Sequence, residues 1–217
     1  LVARSQQELE DVATATRKHG VNAVTVCLDI TDTEAVQAAI GKLEPYEILI
    51  NSAGTNKPAL LTETSMADLD AVMSLNVRST FLITRELVKG MVSAGKGGSI
   101  VTISSQMGHV GGIKRSVYCA SKHAVEGMTK ALAWELGSHG IRVNTICPTF
   151  IETKMTAPML SDPEFKQYVE SRIALGRIGK LEDLLEIKYG KDHKKLEEGN
   201  IPVYGSGGIM RYVNESL

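Results

Sequence analysis

The chain has 217 residues, 43% of them hydrophobic and 23% charged, with 24 basic and 25 acidic side chains and a formal net charge of -1. That balance excludes a disordered chain, allows one globular domain with a large core, and offers no basic surplus for binding a polyanion such as nucleic acid. No apolar run reaches the roughly 18 residues of a membrane-spanning helix and no signal peptide is recognisable, so no membrane partner is expected. The cysteines are Cys27, Cys119 and Cys147, an odd number within or beside apolar stretches. They read as reduced core residues of a cytoplasmic protein rather than as bridges or ligands, and no metal site is expected.

In chain order, Leu1-Val2-Ala3-Arg4 has the character of a strand end, followed by a helix over about 5–19 that stops at Gly20. Residues 21–28 read as a strand, followed by Asp29-Ile30. A helix is predicted from Thr31 or Asp32 to about Leu43, and Thr31 and Glu34 have capping-box spacing. Pro45 precedes a strand over 47–51, and Asn51-Ser52-Ala53-Gly54 leaves it. Ser65 and Asp68 form a second capping box, predicting a helix to about Met91 through Asn76. An asparagine inside a helix is ordinarily exposed or marks a local kink.

After Gly97-Gly98 a short apolar run, S-I-V-T-I-S-S, predicts a buried strand ending at Ser104-Ser105, and apolar periodicity over 117–136 predicts a helix beside it. The connecting loop carries Gly108, Gly111, Gly112 and His109, the last reading as a solvated histidine. Gly140 then leads into a buried strand over 141–147. Pro148-Thr149-Phe150-Ile151-Glu152-Thr153 follows, and Asp162-Pro163 opens a further helix.

Tyr118 and Lys122 stand four residues apart, so both side chains leave one helix face. The strand delivers Ser105 to its carboxyl end, the edge at which open α/β sheets bind ligands. An ammonium beside a phenol stabilises the phenolate, predicting a lowered Tyr118 pKa and acid/base work near neutrality. The Ser105 hydroxyl could hold a carbonyl oxygen as charge develops on it. Such a set suits carbonyl/alcohol interconversion, and because no side chain supplies a hydride, a nicotinamide cofactor is implied. A bare Y-x-x-x-K is ordinarily only a helix pair.

Here the pair has company, and residues 1–182 resemble the short-chain dehydrogenase/reductase family. Ser105 stands thirteen residues before Tyr118, the spacing of the family's Ser-Tyr-Lys set. N-S-A-G at 51–54 is similar to the family's N-N-A-G, and Asn76 in S-L-N-V matches the asparagine of its proton relay. Asp29-Ile30 matches the pair that holds adenine. R-V-N-T-I-C-P-T-F-I-E-T matches the segment with nicotinamide contacts, with Thr149 where glycine is usual.

The resemblance implies an α/β fold with a doubly wound, Rossmann-like parallel sheet. It implies catalytic roles for Asn76, Ser105, Tyr118 and Lys122, and cofactor contacts from Arg4, Asp29, Ile30, Asn51, Ala53, Gly54, Tyr118, Lys122, Ile151 and Thr153. Arg4 occupies the place of a residue facing the 2′-phosphate, so NADP(H) is favoured over NAD(H). Thr153 would bond the carboxamide, or else cap a helix. Residues 154–175 fit a mobile flap over a small carbonyl or alcohol substrate. A homodimer or homotetramer built on the two long helices is also implied.

The family begins with a strand and a glycine-rich phosphate turn, and neither precedes Leu1. The expectation is therefore an N-terminally truncated sheet with a gap of nearly ~10 Å between its second and fourth strands. Agreement stops near Leu181, and residues 183–217 form an atypical tail. Its K-Y-G-K and G-N-I-P-V-Y-G-S-G-G-I resemble part of the target-recognition domain of type I restriction enzyme specificity subunits. Five basic and six acidic residues there are poor footing for phosphates. A lesser reading makes 201–204 a strand and 209–213 a helix start that fill the gap. Two functions result: an NADP(H)-dependent oxidoreductase, or an inactive fragment or fusion scaffold related to such enzymes.

Overall fold

A computed structural model describes residues 1–184, with the backbone of 201–205 and 208–213. The chain divides into two units, Leu1–Thr149 and Phe150–Leu217.

The first unit runs β1 (Val2–Ala3), α1 (Gln6–Arg17), β2 (Val26–Cys27), α2 (Thr33–Ile40), β3 (Ile48–Asn51), α3 (Met66–Met73), α4 (Thr80–Ala94), β4 (Gly98–Ile103), α5 (Ser116–Leu136) and β5 (Ile141–Ile146). Its helix starts follow from local chemistry. Ser5, Asp32 and Ser65 cap α1, α2 and α3, their side-chain oxygens accepting from the backbone N–H of Glu8, Ala35 and Asp68. The cap of α2 is thus Asp32, the second of the two starts the sequence offers.

The helix expected through Asn76 is interrupted. A π-helical turn, Ser74–Ser79, separates α3 from α4. The Ser79 hydroxyl donates to the Ser74 carbonyl at 2.9 Å and the Thr80 hydroxyl to the Asn76 carbonyl at 2.8 Å, so hydroxyls cover carbonyls the wider turn loosens. Asn76 is turned inward and is 2% exposed.

β3, β4 and β5 form a parallel sheet in that order, and β1 pairs in parallel with β2. The core joins Leu49, Ile100 and Val143 of the three-stranded sheet to Val36 of α2 and Leu82 and Met91 of α4. Burying each such side chain contributes about 1.5–3 kcal/mol. The other face of β3 is bare: Ile48 and Ile50 are 65% and 63% exposed, where a parallel strand is ordinarily covered on both faces. They border a cavity of about 420 Å³ whose opposite wall includes Val2 and Val26. Among the described residues no strand joins β1 to β3. Cys27 is exposed and Cys119 and Cys147 are half-buried, all as free thiols. The cysteines are therefore not the core residues their apolar neighbours suggested.

In the second unit α6 (Ala157–Leu160) precedes α7 (Pro163–Glu170), which Asp162 caps as its Asp-Pro start predicts. Arg177 donates to both carboxylate oxygens of Asp183 at 2.7 and 2.8 Å, holding that carboxyl well below its usual range. β6 (Ile201–Gly205) and β7 (Gly208–Val213) form an antiparallel hairpin. Residues 209–213 are thus strand, not the helix start of the lesser reading, and β6 pairs with β7. The K-Y-G-K segment lies outside the described residues.

Gly97 separates two destabilising effects. Its φ is +74°, and an added Cβ would lie 2.8 Å from the Gly140 carbonyl oxygen, whereas Gly95, at φ +66°, faces open space. Left-handed backbone costs a non-glycine residue about 1–2 kcal/mol. Gly97→Ala should therefore lower the thermal midpoint clearly more than Gly95→Ala in parallel melts; equal shifts would contradict the close approach.

Candidate active site

β4 ends at Ile103, and Ser104 and Ser105 follow at its carboxyl end. Ser105 caps the 3-10 turn Gln106–Gly108, its hydroxyl oxygen accepting from the Met107 N–H at 3.1 Å. That leaves the Ser105 proton free to be donated. The buried residues of α5 are Ser121, Lys122, Val125, Glu126, Thr129 and Leu136, spaced as one helix face. Four of the six are polar, so this face does more than pack.

Lys122 is 5% exposed, and its Nζ donates to the Ile103 carbonyl at 2.9 Å. The same Nζ lies 5.7 Å from the centre of the Tyr118 ring. Burial pushes the ammonium below its ordinary pKa, opposed by the nearby Cys147 and Glu126. Burial likewise raises Tyr118, while a hydrogen bond with Ser105 and the charge of Arg115 work the other way. The sequence reading expected Lys122 to lower the Tyr118 pKa. Desolvation instead outweighs the charges around the phenol, which is protonated at neutral pH.

Asn76 meets this group from the side. Its amide donates to the Thr55 carbonyl at 2.9 Å and the Ser121 hydroxyl at 3.0 Å, and its Oδ1 accepts from the Thr55 N–H at 2.8 Å. These bonds lock the loop after β3 to α5. A Cβ on Gly54 would stand 3.5 Å from Asn76 Oδ1 and 3.8 Å from Lys122 Nζ, so glycine keeps a niche open there. Thr55 and Ser121 were missed in the sequence. Ser121, three residues after Tyr118, already shares its helix face, but nothing local signals Thr55.

The remaining sequence candidates separate. Asn51 is buried, and its amide donates to Thr84 Oγ1 at 3.0 Å and Thr102 Oγ1 at 3.3 Å. Its side chain joins β3, β4 and α4 rather than facing outward. Ala53 is exposed beside Gly54. Arg4 and Asp29 sit at the ends of β1 and β2, and the Asp29 carboxylate accepts from both the N–H and the hydroxyl of Thr31 at 2.9 and 2.8 Å. Those bonds, chiefly, and the Arg4 charge hold Asp29 below its ordinary pKa. Ile30 lines the cavity between β1 and β3.

In the second unit, Ile151 bridges Gly179. Thr153 accepts from the Thr156 N–H at 3.4 Å, its hydroxyl lies 3.1 Å from that of Thr156, and its carbonyl accepts from the Ala157 N–H. It therefore closes the turn that leads into α6, whose N-cap residue is Thr156. Among the described residues no helix is long and apolar enough to cross a membrane.

The chain is similar to known proteins over most of its length. The family described as short chain dehydrogenase matches residues 1–164. L-xylulose reductase of Bos taurus is 33% identical over 185 residues, covering 85% of this chain and 74% of the relative. (3R)-3-hydroxyacyl-CoA dehydrogenase of Mus musculus is 40% identical over 155 residues, covering 71% of this chain and 58% of the relative. The crystal structure of a gluconate 5-dehydrogenase from Burkholderia cenocepacia, in complex with NADP and tartrate, superposes with a TM-score of 0.80 at 26% identity, covering 85% of this chain and 73% of the other. With the family match spanning three quarters of its residues and relatives above 30% identity, this chain belongs to the short-chain dehydrogenase family and is an oxidoreductase of that kind.

Proposed function

We propose that the chain interconverts a carbonyl compound and a secondary alcohol with NADP(H), using Ser105, Tyr118 and Lys122. The observation that carries the reading is their meeting at the carboxyl end of β4, with a buried ammonium 5.7 Å from the phenol ring and a serine hydroxyl bonded to that phenol. The residues fit a nicotinamide cofactor, because Gly54 keeps open a niche beside Lys122 Nζ that a Cβ would narrow. Lys122 and the 51–54 segment would hold its nicotinamide-ribose half, and Asp29, Ile30 and Arg4 its adenosine half. When bound, the cofactor supplies or accepts the hydride.

The protein's part is positioning and proton transfer. Ser105 would donate a hydrogen bond to the substrate oxygen and hold it as negative charge develops, keeping its own proton. Tyr118, whose pKa burial raises further above neutrality, delivers the proton that completes the alcohol, and in the other direction its phenolate removes it. The Lys122 ammonium stabilises that phenolate, since the bond to Ile103 uses only one of its three donors. Asn76 holds the Thr55 loop against α5 and lies where a proton path could leave the site.

NADP(H) rather than NAD(H) is supported by the cation Arg4 at the end of β1 and by the NADP held by the Burkholderia cenocepacia structure. Sugar-like or polyol substrates are supported by the L-xylulose reductase similarity, while the hydroxyacyl-CoA relative argues for keeping the class as a small carbonyl or alcohol. Phe81 of α4 and Trp134 of α5, 48% and 90% exposed, support a homo-oligomer through the long helices. We assign the dehydrogenase fold to 1–182 and regard 183–217 as an appended segment.

Tyr118→Phe should lower kcat by at least about 10²-fold while NADPH binding and the melting curve are kept, which steady-state kinetics and fluorescence titration would check. Turnover near the parent rate would overturn the assignment. Since burial raises the Tyr118 pKa, reduction should stay flat through neutral pH and fall only in the alkaline range, whereas oxidation should climb there; pH profiles in both directions decide this. Arg4→Ala should weaken NADPH about tenfold and leave NADH nearly unchanged, because only the former carries the 2′-phosphate. Equal losses in the two titrations would remove Arg4 from that role.

A further inference from the structure

On the far side of Lys122 from Tyr118, three side chains from separate elements meet. His109 Nε2 lies 3.4 Å from Cys147 Sγ and 3.5 Å from Glu126 Oε2, and Cys147 Sγ lies 3.3 Å from Glu126 Oε1. Their donor atoms all fall within 4.8 Å of one another. None of the three has a part in the proton transfer described above. From the geometry we infer that His109, Glu126 and Cys147 form a binding site for a borderline-soft divalent cation of the zinc type.

The spacing is that of a coordination polyhedron. Zinc–sulfur bonds of ~2.3 Å and zinc–nitrogen or zinc–oxygen bonds of ~2.0–2.2 Å at tetrahedral angles place donor atoms about 3.3–3.6 Å apart. The His109–Cys147 separation already fits, while the two Glu126 distances run to different carboxylate oxygens, so the carboxylate either swings one oxygen toward both partners or binds through both. A nitrogen, an oxygen and a sulfur donor also select this class of ion over calcium or magnesium, which take oxygen ligands.

The ligands are held in advance. Glu126 is buried on α5, and the Thr145 hydroxyl donates to its Oε2 at 3.1 Å, the kind of supporting bond that orients a metal-binding carboxylate. Cys147 follows directly on β5. The loop carrying His109 is tied to that strand end by the Gln106 N–H, which donates to the Pro148 carbonyl at 3.0 Å, and the His109 N–H donates to the Gln106 carbonyl at 2.9 Å. The His109 side chain is 51% exposed, so the fourth position opens to water. As the sulfur becomes a ligand its S–H bond breaks, the electron pair goes to the metal and the proton to solvent.

The test is cobalt(II) substitution in the whole chain after chelator treatment. Addition of cobalt should bring up a thiolate-to-cobalt charge-transfer band and the visible bands of a four-coordinate ion, saturating at one equivalent and displaced by zinc. Cys147→Ser should lose the charge-transfer band, His109→Ala should weaken cobalt binding at least about tenfold, and Cys27→Ser should match the parent. Because His109 is exposed, its variant reports on the site without disturbing the core. A parent chain that shows no such band, or a Cys147→Ser variant that keeps it, would overturn the assignment.

Discussion

The bond from Lys122 Nζ to the Ile103 carbonyl holds the molecule's chemistry in place. An ammonium taken out of water costs several kcal/mol unless it is hydrogen-bonded and finds compensating charge. Lys122 meets both conditions, with the carbonyl at the end of β4 on one side and the carboxylate of Glu126 on the other. Satisfying that charge requires α5 to lie against β4 and β5 in one register, and the same register sets Tyr118 opposite Ser105. A fold that moved α5 by one turn would bury the charge unpaired, so packing and site geometry are one constraint.

The polar face of α5 explains why one helix serves two sites. Ser121 holds Asn76, Lys122 reaches the phenol, and Glu126, one turn on, anchors the cluster with His109 and Cys147. Gly108 makes that crowding possible, because a Cβ there would come within 3.2 Å of Glu126 Cγ, Ser104 Oγ and the Lys122 carbonyl. The π-helical turn plays the matching part in the layer opposite. It rotates Asn76 into the interior, where a regular helix would have had to bend to carry it.

The parallel strands set the limits of this unit. β4 is central in its sheet and its residues pair on both sides, while β3 pairs only with β4 among the described residues. On the face turned from the core, Ile48 and Ile50 of the same strand border a cavity. Asn51 sits at the end of the same strand, where its amide bonds to two threonines fasten β3 to β4 and α4. The carboxyl end of β3 is thus braced toward β4 and α4, the side on which the strand is already paired.

Much of this was legible in the chain itself. The helix over about 5–19, the caps at Ser65 and Asp162, the apolar strands and the one-turn spacing of Tyr118 and Lys122 depend on neighbours within a few residues, and local spacing encodes them. Tertiary structure alone decided the rest: the inward turn of Asn76, the structural use of Asn51, the upward shift of Tyr118 and the meeting of His109, Glu126 and Cys147. Each depends on burial or on contacts between residues far apart in sequence, where desolvation and packing set the outcome and periodicity along one element carries no signal.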